Sequence, residues 1–160
     1  MKVLIADDEI NIILLIKSLI DRQKTDVEIA GEAGDGITAL EMVRQLKPDV
    51  VITDIRMPGM NGMDLIRHVR EEQIPVEFVI ISGYSEFEYA RSAIQYGVSD
   101  YLLKPIKKEE LNDVLAKLES QRASRREQQM QFNLMEDRLA SNNGILRKNL
   151  LQNLLTGDGE

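Results

Sequence analysis

Residues 50–66 read VVITDIRMPGMNGMDLI, and the order of residue types in this stretch decides the fold. Val50 to Thr53 is a β-branched run with no polar alternation, which suits a strand buried on both faces, as in a parallel sheet under helices. Asp54 stands at its end. Met57-Pro58-Gly59 and Asn61-Gly62 then read as tight turns, and an amphipathic helix is expected over 62–72. The stretch is one β–α unit with a carboxylate at the tip of its strand.

Similar units lie on both sides. Strand-like runs occur at Lys2–Ala6, Val27–Ala33, Glu77–Ser82 and Ser99–Leu103, with helix candidates near 9–22, 36–46 and 86–96 and a further one from Lys107. Five units in succession predict an α/β fold with a doubly wound, five-stranded parallel sheet. Right-handed crossovers place every strand's C-terminal end on one edge, where such sheets bind their ligands.

The chain has 160 residues with formal charge −7, from 20 Lys/Arg and 27 Asp/Glu. The length suits one ordinary domain plus an appendage. The longest apolar stretch, Ile10 to Ile20, is broken by Asn11, Lys17 and Ser18 and falls short of the roughly 20 residues of a membrane span. No signal-peptide pattern is read at the N-terminus. Zero cysteines exclude disulfides, thiolate catalysis and zinc–sulfur sites, and fit a reducing, cytoplasmic setting. The single histidine, His68, rules out a histidine-rich metal centre and is expected on a helix surface. Net negative charge argues against nucleic-acid binding by this segment. Residues 1–106 carry 11 Lys/Arg and 18 Asp/Glu, whereas 107–160 carry 9 of each, so the two parts are expected to have different jobs.

From Lys107 the chain reads as one extended C-terminal helix of roughly 50 Å at about 1.5 Å per residue. In a heptad frame Leu111, Leu118, Arg125, Phe132 and Leu139 fall at a, and Val114, Gln121, Gln128 and Met135 at d. The seam is apolar at both ends and polar in its middle, a coiled-coil pattern that predicts a homodimer through the 107–140 helix. Ser141 to Gly144 interrupts it, and ILRKNLLQNLL follows. The expected division is a domain over 1–118, a helical linker over 119–141, and the start of a following region over 142–160.

The strand tips carry the chemistry. Asp7-Asp8, Asp54, Ser82 and Lys104-Pro105 end strands one, three, four and five. Singly, each has an ordinary reading as a helix cap, a turn residue or a solvated approach to a helix. Together, on one edge, three carboxylates, a hydroxyl and an ammonium converge. Clustered carboxylates repel unless a cation is present. A hard divalent ion is the natural partner, with Mg²⁺ favoured because it combines one or two carboxylates with waters and a phosphate oxygen. With Lys104 adding a point charge, the set would neutralise a phosphoryl group being transferred to a carboxylate.

The blocks VLIADDE, VVITDIRMPGMNGMDLI, VIISGYSEFEYA and GVSDYLLKPI resemble the receiver domain of bacterial two-component response regulators, from residue 2 to about 118. The resemblance implies a flavodoxin-like sheet of order 2-1-3-4-5. It implies that Asp54 accepts a phosphoryl group from a sensor histidine kinase. Asp7 and Asp8 would hold Mg²⁺ (or Mn²⁺) with Asp54 and the main-chain carbonyl of Arg56. Lys104 would contact the phosphoryl group, ahead of a cis bond to Pro105. Ser82 would move towards the phosphoryl oxygens and Tyr101 inward with it. The long polar helix and the run after it are similar to YesN-like regulators, whose receiver is joined to an AraC-type DNA-binding region. Contact with DNA is therefore expected only through a C-terminal domain missing from this chain. Two other readings stand beside it: a stand-alone receiver acting by protein–protein contact, and an aspartate-nucleophile phosphatase. The phosphatase would need a second acid where Arg56 stands. A nucleotide-binding domain would need a Gly-rich loop after the first strand, where Asp7-Asp8-Glu9 stands instead.

Overall fold

The computed structural model describes residues 1–83 and 87–142. Readings that fall on Tyr84–Glu86 and on 143–160, the ILRKNLLQNLL run among them, lie outside the described residues.

Five strands, β1 (Lys2–Ala6), β2 (Glu28–Ala33), β3 (Val50–Asp54), β4 (Glu77–Ser82) and β5 (Asp100–Leu103), alternate with five helices: α1 (Ile10–Leu19), α2 (Gly36–Leu46), α3 (Gly62–Glu71), α4 (Phe87–Ala93) and α5 (Lys108–Asn142). The sheet order is β2-β1-β3-β4-β5, with every neighbouring pair parallel. This is the doubly wound, flavodoxin-like arrangement expected. The chain divides into a compact unit over Met1–Glu119 and a second over Ser120–Glu160.

Within the first unit two apolar layers sandwich the sheet. Leu4, Val51, Phe78 and Ile80 face α2 and α3 through Leu40, Val43, Leu65 and Val69. Val3, Ile5, Val50, Ile52 and Leu102 face α1 and α5 through Ile13, Ile16, Leu111 and Leu115. Buried strands with apolar residues on both faces need no alternation, which is why β3 reads as an unbroken hydrophobic run.

Element ends differ from the expectations in explicable ways. The α1 helix stops at Leu19 rather than near 22, because Ile20 is extended (φ −66°, ψ 122°). The α4 helix is shorter than 86–96: after Ala93 the chain tightens into a 3₁₀ turn, Ile94–Tyr96, closed by Gly97 at φ +69°. Within α5, the seam residues Leu111, Val114 and Leu118 are buried against the sheet, so a second helix cannot use them. Between Ser120 and Leu139 the helix is mostly exposed: Phe132 is 56%, Met135 62% and Leu139 53% accessible.

Candidate functional site

Strand alternation aims the polar tips. Successive residues of a strand point to opposite faces. Val50 and Ile52 face α1 and α5, so Asp54 does too. Val3 and Ile5 share that face and Asp7 continues their row, as Lys104 continues the row of Leu102. The β1–β3 register pairs Ala6 with Thr53, which sets Asp7 level with Asp54 on adjacent strands about 4.8 Å apart. Carboxylate oxygens of Asp7, Asp8 and Asp54 all lie within 4.8 Å of one another.

Lys104 comes from two strands away, and its long stem crosses β4 to reach the cluster. Its Nζ lies 3.3 Å from Asp54 Oδ2 and 3.8 Å from Asp7 Oδ2, with the side chain 26% accessible. The peptide bond between Lys104 and Pro105 is cis. Burial disfavours the Lys104 charge, but Asp54 and Asp7 outweigh it and lift its pKa above the usual lysine value.

The two acids after β1 are not equivalent. Asp8 is exposed, whereas Asp7 is 1% accessible. Asp7 Oδ1 accepts the Glu9 N–H at 2.9 Å, which settles the first turn leading into α1. Asp7 Oδ2 is buried without a hydrogen-bond partner. Burial pushes the Asp7 carboxyl from 3.8 up to about 6; Asp54 adds to the rise, while the Glu9 N–H and the Lys104 charge oppose it. A buried orphan oxygen beside two more carboxylates fits a hard cation, which would supply the missing partner. The acid pair also lines a hollow of about 210 Å³ with Ile10, Ile13 and Glu32.

The loop after β3 is held by a close approach. Gly62 N–H donates to Ile55 O at 2.7 Å, and a Cβ on Gly62 would stand 2.2 Å from the Asp54 carbonyl oxygen. Arg56 is exposed on this loop. The Asn61 side chain accepts the Asp64 N–H at 2.8 Å and caps α3.

Ser82 and Tyr101 continue the other rows. Ser82 follows Ile80, and Tyr101 packs against the cluster facing α2 and α3. The Ser82 hydroxyl, fully buried, donates to the Tyr101 hydroxyl oxygen at 3.0 Å. That direct bond was not read from the sequence; the β4–β5 register, Ile80 opposite Tyr101, is the signal that brings them near. His68 is half-buried in the last turn of α3 and takes no part in this edge.

A family model described as the response regulator receiver domain matches residues 3–116. The chain belongs to that family. As a receiver domain it is similar to the transcriptional regulatory protein YesN of Bacillus subtilis, 39% identical over 124 residues, 75% of this chain and 34% of YesN. It is also 39% identical over 117 residues to HptR of Staphylococcus aureus, 73% of this chain and 46% of HptR. The chain thus spans about a third to a half of the curated relatives it matches. Among solved structures, the receiver domain of the Geobacillus stearothermophilus response regulator AraT is 40% identical with TM-score 0.74, over 78% of this chain and 97% of that one. The receiver of a NarL response regulator from Mycobacterium tuberculosis is 31% identical with TM-score 0.66, over 72% and 95%. Receiver domains are signalling domains rather than classical enzymes, and they generally bind Mg²⁺ at an acidic pocket; here Asp7, Asp8 and Asp54 form an acidic cluster. No helix among the described residues is long and apolar enough to cross a membrane.

Proposed function

We propose that this chain is the phosphorylation-controlled input of a response regulator, with Asp54 as phosphoacceptor and a sensor histidine kinase as donor. The observation that carries the reading is the convergence of Asp7, Asp8 and Asp54 within 4.8 Å with Lys104 Nζ 3.3 Å from Asp54. An Asp54 oxygen attacks phosphorus, the P–N bond to the kinase histidine breaks, and the departing imidazole nitrogen takes up a proton. Lys104 balances charge gathering on the phosphoryl oxygens. Asp7, Asp8, Asp54 and the main-chain carbonyl of Arg56 would hold Mg²⁺ or Mn²⁺, which when bound neutralises phosphoryl oxygens. Once Asp54 carries the group, Ser82 turns its hydroxyl to a phosphoryl oxygen and Tyr101 adjusts with it, a local electrostatic change biasing a packed element.

Organisation belongs to the same proposal: a receiver over 1–118, a helical linker over 119–141, and a following region from 142. Relatives named as transcriptional regulators are two to three times as long as the matched stretch. That supports control of transcription in the cytoplasm, with DNA contacted through a region outside the receiver. Exposed Phe132, Met135 and Leu139, at a and d spacing, support a homodimer through the outer part of α5.

Acetyl phosphate with Mg²⁺ should add one phosphoryl group by intact mass, and Asp54→Asn should abolish it. Labelling that persists in Asp54→Asn would refute the site.

A further inference from the structure

The side of α1 remote from the acid cluster is held by α5. Four carbonyls at a helix C-terminus lack partners within the helix. At the end of α1 the chain goes extended at Ile20 rather than closing on itself, and one of those carbonyls, Leu19 O, is taken by Asn112 of α5. Asn112 is 1% accessible. Its Nδ2 donates to Leu19 O at 2.8 Å and to Lys108 O at 2.7 Å, and its Oδ1 accepts the Asp21 N–H at 2.8 Å. Both amide hydrogens and the amide oxygen are used.

Two turns further along the same face of α5, the Glu119 carboxylate accepts the Asp26 N–H, at 3.0 and 3.2 Å to its two oxygens. The loop between these anchors is tied to itself: the buried Thr25 hydroxyl and N–H both donate to Asp21 O, at 3.1 and 3.0 Å. The α1–β2 loop is thus a stiff bracket gripped by α5 at two points.

The apolar contacts between α1 and α5 (Ile13 and Ile16 with Leu111 and Leu115) fill space but tolerate sliding. Directional hydrogen bonds from a buried amide do not. Moving α5 by one residue would swing Asn112 by about 100° and take its partner groups away from Leu19 O and the Asp21 N–H, which are part-buried, at a cost in free energy. The other end of α1 follows immediately from Asp7-Asp8, with Glu9 as its N-cap. The helix therefore runs from the acid cluster to the bracket that seats α5.

We propose that Asn112 and Glu119 are positioning residues that index α5 on the α1–β2 loop, so that the state of the Asp7–Asp8 edge reaches the output helix through α1. The inference rests on the phosphoacceptor reading above. It concerns how that site is reported, not what it binds.

The test uses the whole 160-residue chain and amide hydrogen exchange over 108–119, with and without Mg²⁺ plus beryllium trifluoride, a stable stand-in for the phosphoryl group. In the wild type the ligand should change exchange over 108–119 several-fold. Asn112→Asp keeps the acceptor and loses both donors, and Glu119→Ala removes the second anchor. Both should bind the ligand with unchanged affinity yet lose the change over 108–119. Glu119→Gln, which still accepts the Asp26 N–H, should retain it. A wild-type-sized response in Asn112→Asp and Glu119→Ala, or no response over 108–119 in a wild type that binds, overturns the proposal. A wild type that binds nothing refutes the phosphoacceptor reading instead. The indexing is then judged without ligand: both variants should speed exchange over 108–119 several-fold, and unchanged rates would overturn it.

Discussion

Replacing Asp7 by Asn should make the metal-free protein more stable at neutral pH. In the folded chain Asp7 is 1% accessible with one oxygen lacking a hydrogen bond, and its pKa stands at about 6 against 3.8. Holding that carboxylate ionised at pH 7.5 therefore costs about 3 kcal/mol at 1.36 kcal/mol per pKa unit. The acid pair opens onto a hollow on one side, so solvent screening lowers the figure to about 1–3 kcal/mol. Asn preserves the acceptor for the Glu9 N–H and carries no charge, so the variant should gain that amount in EDTA. The sign follows from the direction of the shift. A carboxyl whose folded pKa is raised contributes stability in full below its unfolded value and loses it as pH rises through the folded value. The variant's advantage should thus be absent near pH 4, open between pH 4 and 6, and level off above.

Excess Mg²⁺ should reverse the order. A ligand at 100 times its Kd adds about 2.7 kcal/mol to the state that binds it, and the variant lacks one of the three acids. Urea unfolding by far-UV circular dichroism, in EDTA and in Mg²⁺ from pH 4.5 to 7.5, reads both effects through the midpoint at constant slope. An Asp7→Asn protein no more stable than wild type in EDTA at pH 7.5, or a gap that does not change with pH, would refute the reasoning.

Three further outcomes follow from the geometry. Gly62→Ala puts a Cβ 2.2 Å from the Asp54 carbonyl oxygen, a backbone atom that cannot swing away; a loss of about 2 kcal/mol or more in urea is expected, while Gly34→Ala, whose Cβ meets nothing, should be near neutral. Arg70 donates to Val76 O, Tyr96 O and Gly97 O at 2.9, 3.1 and 3.2 Å and stacks over Phe78; Arg70→Lys keeps the charge but not the fork, and should cost about 1–2 kcal/mol and speed amide exchange at Gly97. Phe132→Ser with Leu139→Ser should leave the unfolding of the Met1–Glu119 unit unchanged and weaken self-association, read by sedimentation over a range of concentrations.

The strand tips were legible because two local rules suffice. A continuous apolar run marks a buried parallel strand, and the period of two then fixes which face the last residue meets. Val3-Ile5-Asp7, Val50-Ile52-Asp54 and Leu102-Lys104 are three such rows, and all deliver their polar ends to the α1–α5 side. What this reasoning could not separate was Asp7 from Asp8, since burial depends on how far β1 continues before the chain turns. The Asn112 anchor was illegible for another reason. A lone Asn in a helix looks like any polar residue until a distant carbonyl and N–H, Leu19 O and Asp21 N, are known to lie beside it.

The heptad pattern of α5 shows why a periodic stripe can mislead. Leu111, Val114, Leu118, Phe132, Met135 and Leu139 share one frame, yet the first three face the chain's own sheet and the last three face solvent. Periodicity reports that a face wants covering, not by what. Strand length supplies the missing information. Strands of four to six residues span roughly 13–20 Å at about 3.3 Å per residue. A helix covering them needs only about 9–13 residues at about 1.5 Å each. The eleven from Lys108 to Leu118 fall within that range, so an apolar stripe continued to Leu139 is far longer than covering these strands requires. A similar bound follows from the sequence, whose strand-like runs span four to seven residues. It makes the outer three residues the ones to substitute when self-association is tested, and the inner three the ones to leave alone.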